Sequence, residues 1–341
     1  MLAEFALTPS IFDEDAHDDK DVWLEQLRVL GGNMFPQVAA APVMVSNLYA
    51  GSWHSVATQV VTAIKDHRAR KLCQDLLEKT RRSLVFRPDC NEWPGEEECA
   101  WGREAIQSAS EEEIERIIAT RAAHEALATE CAFIRSMNEV VDSGFWHGIS
   151  VSHQVPMRIA DQLRLLRKLC LHTEFLCLLT PRIYGVSGDE TDFAIEVIRS
   201  ALQRPTGYRR VAFDIHTTGP SGDPSEPDYP ARLSKCAGNI STRLREALGP
   251  GESLSLYLWP RLLDRYLVGG VFVEAADGGH QRSPRWGVSM QHIARPDDET
   301  KSHPPTSWNL LDKAGLSQCF KRYFKEDATG CLPGFPIRVE G

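Results

Sequence analysis

The 341-residue sequence lacks most of the features by which an activity is usually read from a chain. No C-x-x-C pair occurs among its nine cysteines, at positions 73, 90, 99, 131, 170, 177, 236, 319 and 331. An odd, scattered set of this kind fits neither a disulfide framework nor a zinc knuckle. The nearest candidate ligands, Cys90 with Cys99 and His147 with His153, have separations that no standard site uses, so neither metal nor cofactor is expected. There is no G-x-S-x-G elbow, phosphate-binding G-x-x-x-x-G-K loop, G-x-G-x-x-G turn or H-E-x-x-H helix, which removes the common hydrolase, nucleotide and zincin classes. Long apolar runs are missing as well. The longest is Phe175–Leu179, far short of the ~20 residues that cross a bilayer, so no membrane association is expected. The opening MLAEFALTPSIFDEDAHDDKD has no basic region and turns acidic at once, which predicts a cytoplasmic rather than a secreted protein. Nor is there an excess of positive charge: 38 Lys and Arg against 47 Asp and Glu give a net −9, which disfavours indiscriminate binding to nucleic acid.

What is present is ordinary globular composition, 42% hydrophobic and 25% charged, over a length that accommodates two domains. The order of elements becomes regular near residue 150, so the expected division is an N-terminal α/β and helical region over 1–150 and an α/β domain over 151–341. In the first half the patterning predicts a strand over 3–12 and a helix over 21–30, capped by Asp21 and stopped by Gly31-Gly32. An apolar β-leaning stretch follows over 38–48, with Pro42 marking an edge or a turn rather than a central strand. After a loop at 51–54 comes a helical stretch over 55–82, interrupted near Asp66-His67. Its basic side (Lys65, Arg68, Arg70, Lys71, Lys79, Arg81, Arg82) reads either as a polyanion-binding face or as a solvated one paired to Asp75 and Glu78. Leu84–Phe86 is a short strand, and 89–102 an acidic loop with Trp93, Trp101 and Glu96-Glu97-Glu98. A capping box at Ser110 and Glu113 opens a helix expected to reach Met137, and Trp146 lies in a turn beyond it.

The second half alternates more simply. Helix 157–171 precedes strand 174–183, helix 189–202, strand 209–216, a Gly/Pro-rich loop over 217–228, helix 229–248, and strands 254–259, 264–273 and 286–293. This series predicts one largely parallel sheet covered by helices. A final helix over 307–324 and an extended strap over 329–341 complete the chain.

Two stretches of that half carry the functional reading. Leu263-Asp264-Arg265-Tyr266-Leu267-Val268, followed by Gly287-Val288-Ser289-Met290-Gln291, resembles the C-terminal active-site half of the phospholipase D-like (HKD) superfamily. Many bacterial members write the first part His-Asp-Arg-Tyr-Leu and the second as Gly-x-Ser with a small polar residue beyond. The resemblance implies that a leading histidine attacks phosphorus, that a Lys or Arg two residues on clamps the phosphate oxygens, and that a Ser with a second polar residue hydrogen-bonds them. Carried onto this chain, Arg265 is the clamp, with Tyr266 beside it, and Ser289 with Gln291 the polar pair. The nucleophile's position holds Leu263, and the family carboxylate falls near Gly270. Leucine forms no phosphoryl intermediate and moves no proton. The resemblance therefore implies a catalytically degenerate protein, a binding or scaffold subunit of the kind found in bacterial antiviral-defence or DNA-processing complexes, with a phosphate-bearing ligand or nucleic acid as candidate partner.

Two further readings stand beside it. An active phosphodiesterase or nuclease would need a displaced histidine, His216, His280 or His292, within hydrogen-bonding reach of Arg265 and Ser289. His216 lies two residues after Asp214, a spacing that suits an acid–base pair or an ordinary structural one. A pure scaffold would instead have Arg265 tied to Asp264 or to backbone and closed to solvent. In the binding or scaffold readings Trp93, Trp101 and Trp146, aromatics in predicted loops, are the candidate anchors for a protein partner.

Overall fold

The structure, a computed structural model, describes residues 1–37, 40–87, 97–112, 114–185, 188–205, 207–275, 278–293, 304–324 and 330–341. The chain forms two compact units, Met1–Val151 with Thr206–Tyr208, and Ser152–Pro205 with Arg209–Gly341.

The N-terminal unit is built on a parallel sheet of β1 (Ala3–Leu7), β2 (Val43–Asn47), β3 (Leu84–Phe86), β4 (Arg116–Ala119) and β5 (Ile134–Ser136), in the order β3-β2-β1-β4-β5. Helices α1 (Lys20–Met34), α2 (Leu48–Gly51), α3 (Trp53–Ala63), α4 (His67–Arg81), α5 (Glu98–Glu112) and α6 (Arg121–Leu127) connect the strands. Every residue of the central strand β1 is buried, as expected of a strand covered on both faces. That includes Glu4, whose carboxylate receives Arg87 Nε and Nη2, each at 2.8 Å, and the Ser46 hydroxyl at 2.6 Å. Both side chains are 0% exposed, and mutual pairing is what keeps these charges in a core.

Several expectations are corrected here. Gly31-Gly32 does not stop the first helix, which runs on to Met34, and its cap is Asp19, accepting the Asp21 and Val22 N–H groups at 2.9 and 3.1 Å. The stretch after Pro42 is not an edge, because β2 lies between β1 and β3, and Pro42 itself stands just before the strand rather than within it. The expected loop at 51–54 is helical, with buried Trp53 opening α3. Asp66 does divide the next stretch, capping α4 through the Ala69 N–H at 2.7 Å. The long helix expected to reach Met137 is replaced by the end of α5, strand β4, α6 and strand β5. Ser110 lies inside α5 rather than opening a helix, and Glu113, its expected capping-box partner, lies outside the described residues.

The C-terminal unit holds an eight-stranded mixed sheet in the order β13-β9-β8-β7-β10-β11-β12-β6. Its strands are β6 (Ser152–Val155), β7 (Phe175–Leu179), β8 (Ala212–Thr218), β9 (Ser253–Trp259), β10 (Tyr266–Glu274), β11 (His280–Met290), β12 (Thr306–Leu310) and β13 (Ile337–Glu340). Strands β7, β8 and β9 run parallel and the other pairings are antiparallel. The five strands predicted to share a sheet are contiguous in it, so Tyr257 and Trp286 belong to one sheet. The helices are α7 (Ile159–His172), α8 (Asp189–Leu202), α9 (Tyr229–Arg245) and α10 (Lys313–Cys319), the last continued by a π turn over Phe320–Phe324. The predicted final helix is thus divided. Its first residues form β12, where alternation turns Trp308 inward to meet Phe193 of α8, ring centroids 6.2 Å apart.

Each strand presents alternate residues to the two faces. Phe175, Cys177, Leu179 and Val268 face α10 and the π turn, packing on Leu316, Cys319, Tyr323 and Phe324. Their neighbours in sequence face α8. This alternation decides which predicted site residues can meet.

Candidate functional site

The site forms where β7 ends and β10 begins. Thr180 follows β7, Arg265 precedes β10, and Glu190 lies in the first turn of α8. Glu190 Oε1 accepts from Arg265 Nε at 3.0 Å and Nη2 at 2.6 Å. Its Oε2 accepts the Arg182 backbone N–H at 3.0 Å and the Thr180 hydroxyl. The pair is largely enclosed, with side chains 14% and 9% exposed. Arg265 is thus neutralised, by Glu190 rather than by Asp264. Asp264 points to the other face and accepts the Tyr323 hydroxyl at 2.9 Å.

A cleft of about 710 Å³ opens beside this pair, lined by Arg182, Tyr184, Glu190, Arg265, Gln291 and His292 among others. That volume lies within the range of small-molecule sites. A second hollow of about 380 Å³ holds Leu263, Asp264, Tyr266, Ser289, Gln291 and Asn309, with Arg265 and Gln291 bordering both. Tyr266 is directly opposite Ser289 in the β10–β11 ladder, so these two share a face and Arg265, one residue earlier, takes the opposite one. The predicted partners Arg265 and Ser289 do reach the same sheet end and both line the smaller hollow, while the Arg265 guanidinium is turned to Glu190.

Leu263 is 68% exposed at the rim, an apolar side chain where the resemblance expects an imidazole. Gly270 sits at the register shift in β10. A Cβ there would meet the Ser283 carbonyl oxygen at 2.1 Å and the Phe175 ring at 2.9 Å, so this backbone admits no side chain, carboxylate included.

None of the three candidate histidines is bonded to Arg265 or Ser289. His216 is 1% exposed, stacked on Tyr257 with ring centroids 4.2 Å apart, and its Nδ1 accepts the Trp259 indole N–H at 3.1 Å. Burial, and secondarily the nearby Arg282 guanidinium, hold its pKa well below the ordinary 6.5. Its predicted partner Asp214 pairs instead with Arg282, which also lies 5.5 Å above the Phe175 ring. His280 stands opposite Glu274 at the far tip of the β10–β11 hairpin, eight strand residues and roughly 27 Å from Tyr266. His292 is exposed and lines the cleft, its backbone held by Thr306 and by the Trp308 indole at 2.9 Å.

Of the candidate partner anchors, Trp101 belongs to α5 and is 0% exposed, in the core of the N-terminal unit, so its ring presents nothing to a partner. Trp146 is half-buried, donates to the Val140 carbonyl at 2.9 Å and packs 4.9 Å from the Phe145 ring. Trp93 lies outside the described residues.

The N-terminal unit has its own sheet-end crevice. In doubly wound sheets ligands bind where strand order reverses, here between β1 and β4. Thr8 follows one strand and Thr120 the other, and both give their hydroxyls to Glu98 at 2.6 Å, with the Thr120 N–H adding a bond at 3.0 Å. Glu98 fills that position.

Residue patterning missed Glu190. A glutamate in a helix's first turn is commonplace, and its partners lie 8, 10 and 75 residues away in the chain. The signal available was Thr180-x-Arg182 at the end of a buried strand, facing the first turn of the next helix. Among the described residues no group of three or more His, Cys, Asp or Glu is placed to hold a metal ion, and no helix is long and apolar enough to cross a membrane. In comparison with known proteins, no family model and no curated protein matches this chain.

Proposed function

We propose that this chain is a phospholipase D-like protein that binds rather than cleaves, serving as a ligand-binding or scaffold subunit of an antiviral-defence or DNA-processing assembly. The observation that carries the reading is the state of Arg265: the residue in the phosphate-clamp position is neutralised by buried Glu190, with exposed Leu263 two residues away where a nucleophile is needed. The closed backbone at Gly270 and the core placement of His216 point the same way. A phosphodiesterase lacking its nucleophile loses most of its rate enhancement whatever else of the site remains. What such a cleft still offers is recognition of phosphate-bearing groups through Arg182, Arg265, Gln291 and His292. The test is hydrolysis of bis-p-nitrophenyl phosphate and of DNA by the full chain in EDTA. No turnover above the buffer rate is expected. Turnover abolished by Arg265→Ala would refute the reading.

A further inference from the structure

The cleft beside Arg265 already holds an anion, and that anion is part of the chain. Four donors converge on Glu190: two N–H groups of one guanidinium, one backbone amide and one hydroxyl. Such a set suits a phosphate group as well as it suits a carboxylate, since arginine presents the same planar fork to both. The donors gather at the start of α8, where a negative group is further favoured by the helix. The pair also borders the 710 Å³ cleft directly, so a ligand reaches it without the fold opening.

Resting on the non-catalytic reading above, we propose that Glu190 is an internal competitor for phosphate: its carboxylate occupies the seat that a ligand's phosphoryl oxygens would take against Thr180, Arg182 and Arg265. Glu190 is in this sense the specificity-determining residue of the cleft. While it is seated and charged, an anionic ligand meets a neutral pair and gains little from Arg265. Once it is neutralised or withdrawn, the guanidinium lacks its counter-charge and the cleft becomes a phosphate site.

Glu190→Gln tests this in the full chain, because it keeps the shape and removes the charge. By titration calorimetry, inorganic phosphate should bind the variant at least about tenfold more tightly than the wild type, equivalent to ~1.4 kcal/mol. Glu190→Ala, which empties the seat, should bind at least as well, and Glu190→Gln with Arg265→Gln should return to the wild-type value. Folded Glu190→Gln and Glu190→Ala proteins that both bind phosphate no better than the wild type overturn the proposal. If either variant fails to fold alone, phosphate should restore a cooperative thermal transition, and its failure to do so overturns the proposal equally. The non-catalytic reading fails on a different result, wild-type phosphodiester turnover in EDTA, so the two are separable.

Discussion

His216 gives the sharpest physical test of whether this chain conceals a displaced nucleophile. In the fold its ring is sealed between Tyr257, Trp259 and Phe324, with the charge of Arg282, itself paired to Asp214, acting on it. It is therefore neutral in the folded state, whereas an exposed histidine in the unfolded chain protonates near 6.5. Because the folded-state pKa is depressed, the unfolded chain binds the extra proton: the associated stability is fully present above 6.5 and is lost as pH falls toward the folded value. The slope for one such group approaches ~1.4 kcal/mol per pH unit. His216→Gln retains an acceptor for the Trp259 indole but loses the stack on Tyr257, a cost of about 1.5 kcal/mol at pH 8. Only the wild type carries the acid penalty, so the two stability curves should converge below 6.5 and cross about one unit lower, near pH ~5.4. Urea unfolding of both proteins across this range, with unchanged m-values, measures the difference directly. A gap constant with pH would show that His216 titrates normally, hence that it is accessible, and would reopen it as a catalytic base.

Two further perturbations bear on the same architecture. Leu263→His combined with Gly270→Asp would install the two residues that the resemblance expects at these positions, yet the aspartate's Cβ would meet the Ser283 backbone at 2.1 Å. The pair should destabilise the C-terminal unit by more than about 3 kcal/mol rather than create activity, read as a lowered unfolding midpoint. In the N-terminal unit, Arg87→Met leaves Glu4 charged and buried, and should cost about 3–5 kcal/mol by denaturant unfolding. Adding Glu4→Leu should recover most of it, and a double variant as unstable as the single would show that the pair is not the cause.

Five of the eight strands of the C-terminal sheet were legible because their signals are local, whereas β6, β12 and β13 were not, and the sheet is mixed rather than largely parallel. Helix α8 begins and ends where patterning placed it, and β7, β8 and β9 differ from expectation by a few residues at their ends. The N-terminal unit was harder for physical reasons. Ile117 and Ile118 lie within a four-residue buried strand, and with Ile114 they mimic helical spacing, which a short apolar run cannot contradict. Gly31 read as a stop signal, but an added Cβ there would come 3.1 Å from Leu76, so this glycine allows close approach of α1 and α4 rather than ending a helix. Trp101 read as a loop aromatic, yet it fills the core from α5. Arg265, Tyr266, Ser289 and Gln291 were named from the motif. The ion-pair partner of Arg265 was not, because it is a glutamate 75 residues distant.

Glu98 and Glu190 solve the same local problem in the two units. In each, a buried parallel strand ends in a threonine (Thr8 and Thr120 in one unit, Thr180 in the other), and these side chains are at most 1% exposed. Hydroxyl and amide donors concentrated at such a sheet end must be satisfied, by water, by a ligand or by the chain itself. Each unit supplies a carboxylate from the first turn of a helix, so neither needs a bound anion to complete its hydrogen bonding. The two differ in what lies beneath. Among the described residues, the bonds that hold Glu98 come from two hydroxyls and one amide, with no cation among them. Those that hold Glu190 include a guanidinium, so neutralising Glu98 uncovers dipoles, whereas neutralising Glu190 uncovers a full charge that bulk water hydrates poorly inside a cleft. Only the second loss leaves a strong reason to recruit an anion from solution, and on this argument the Arg265 cleft, rather than the crevice between β1 and β4, is where a phosphate-bearing ligand would be recognised.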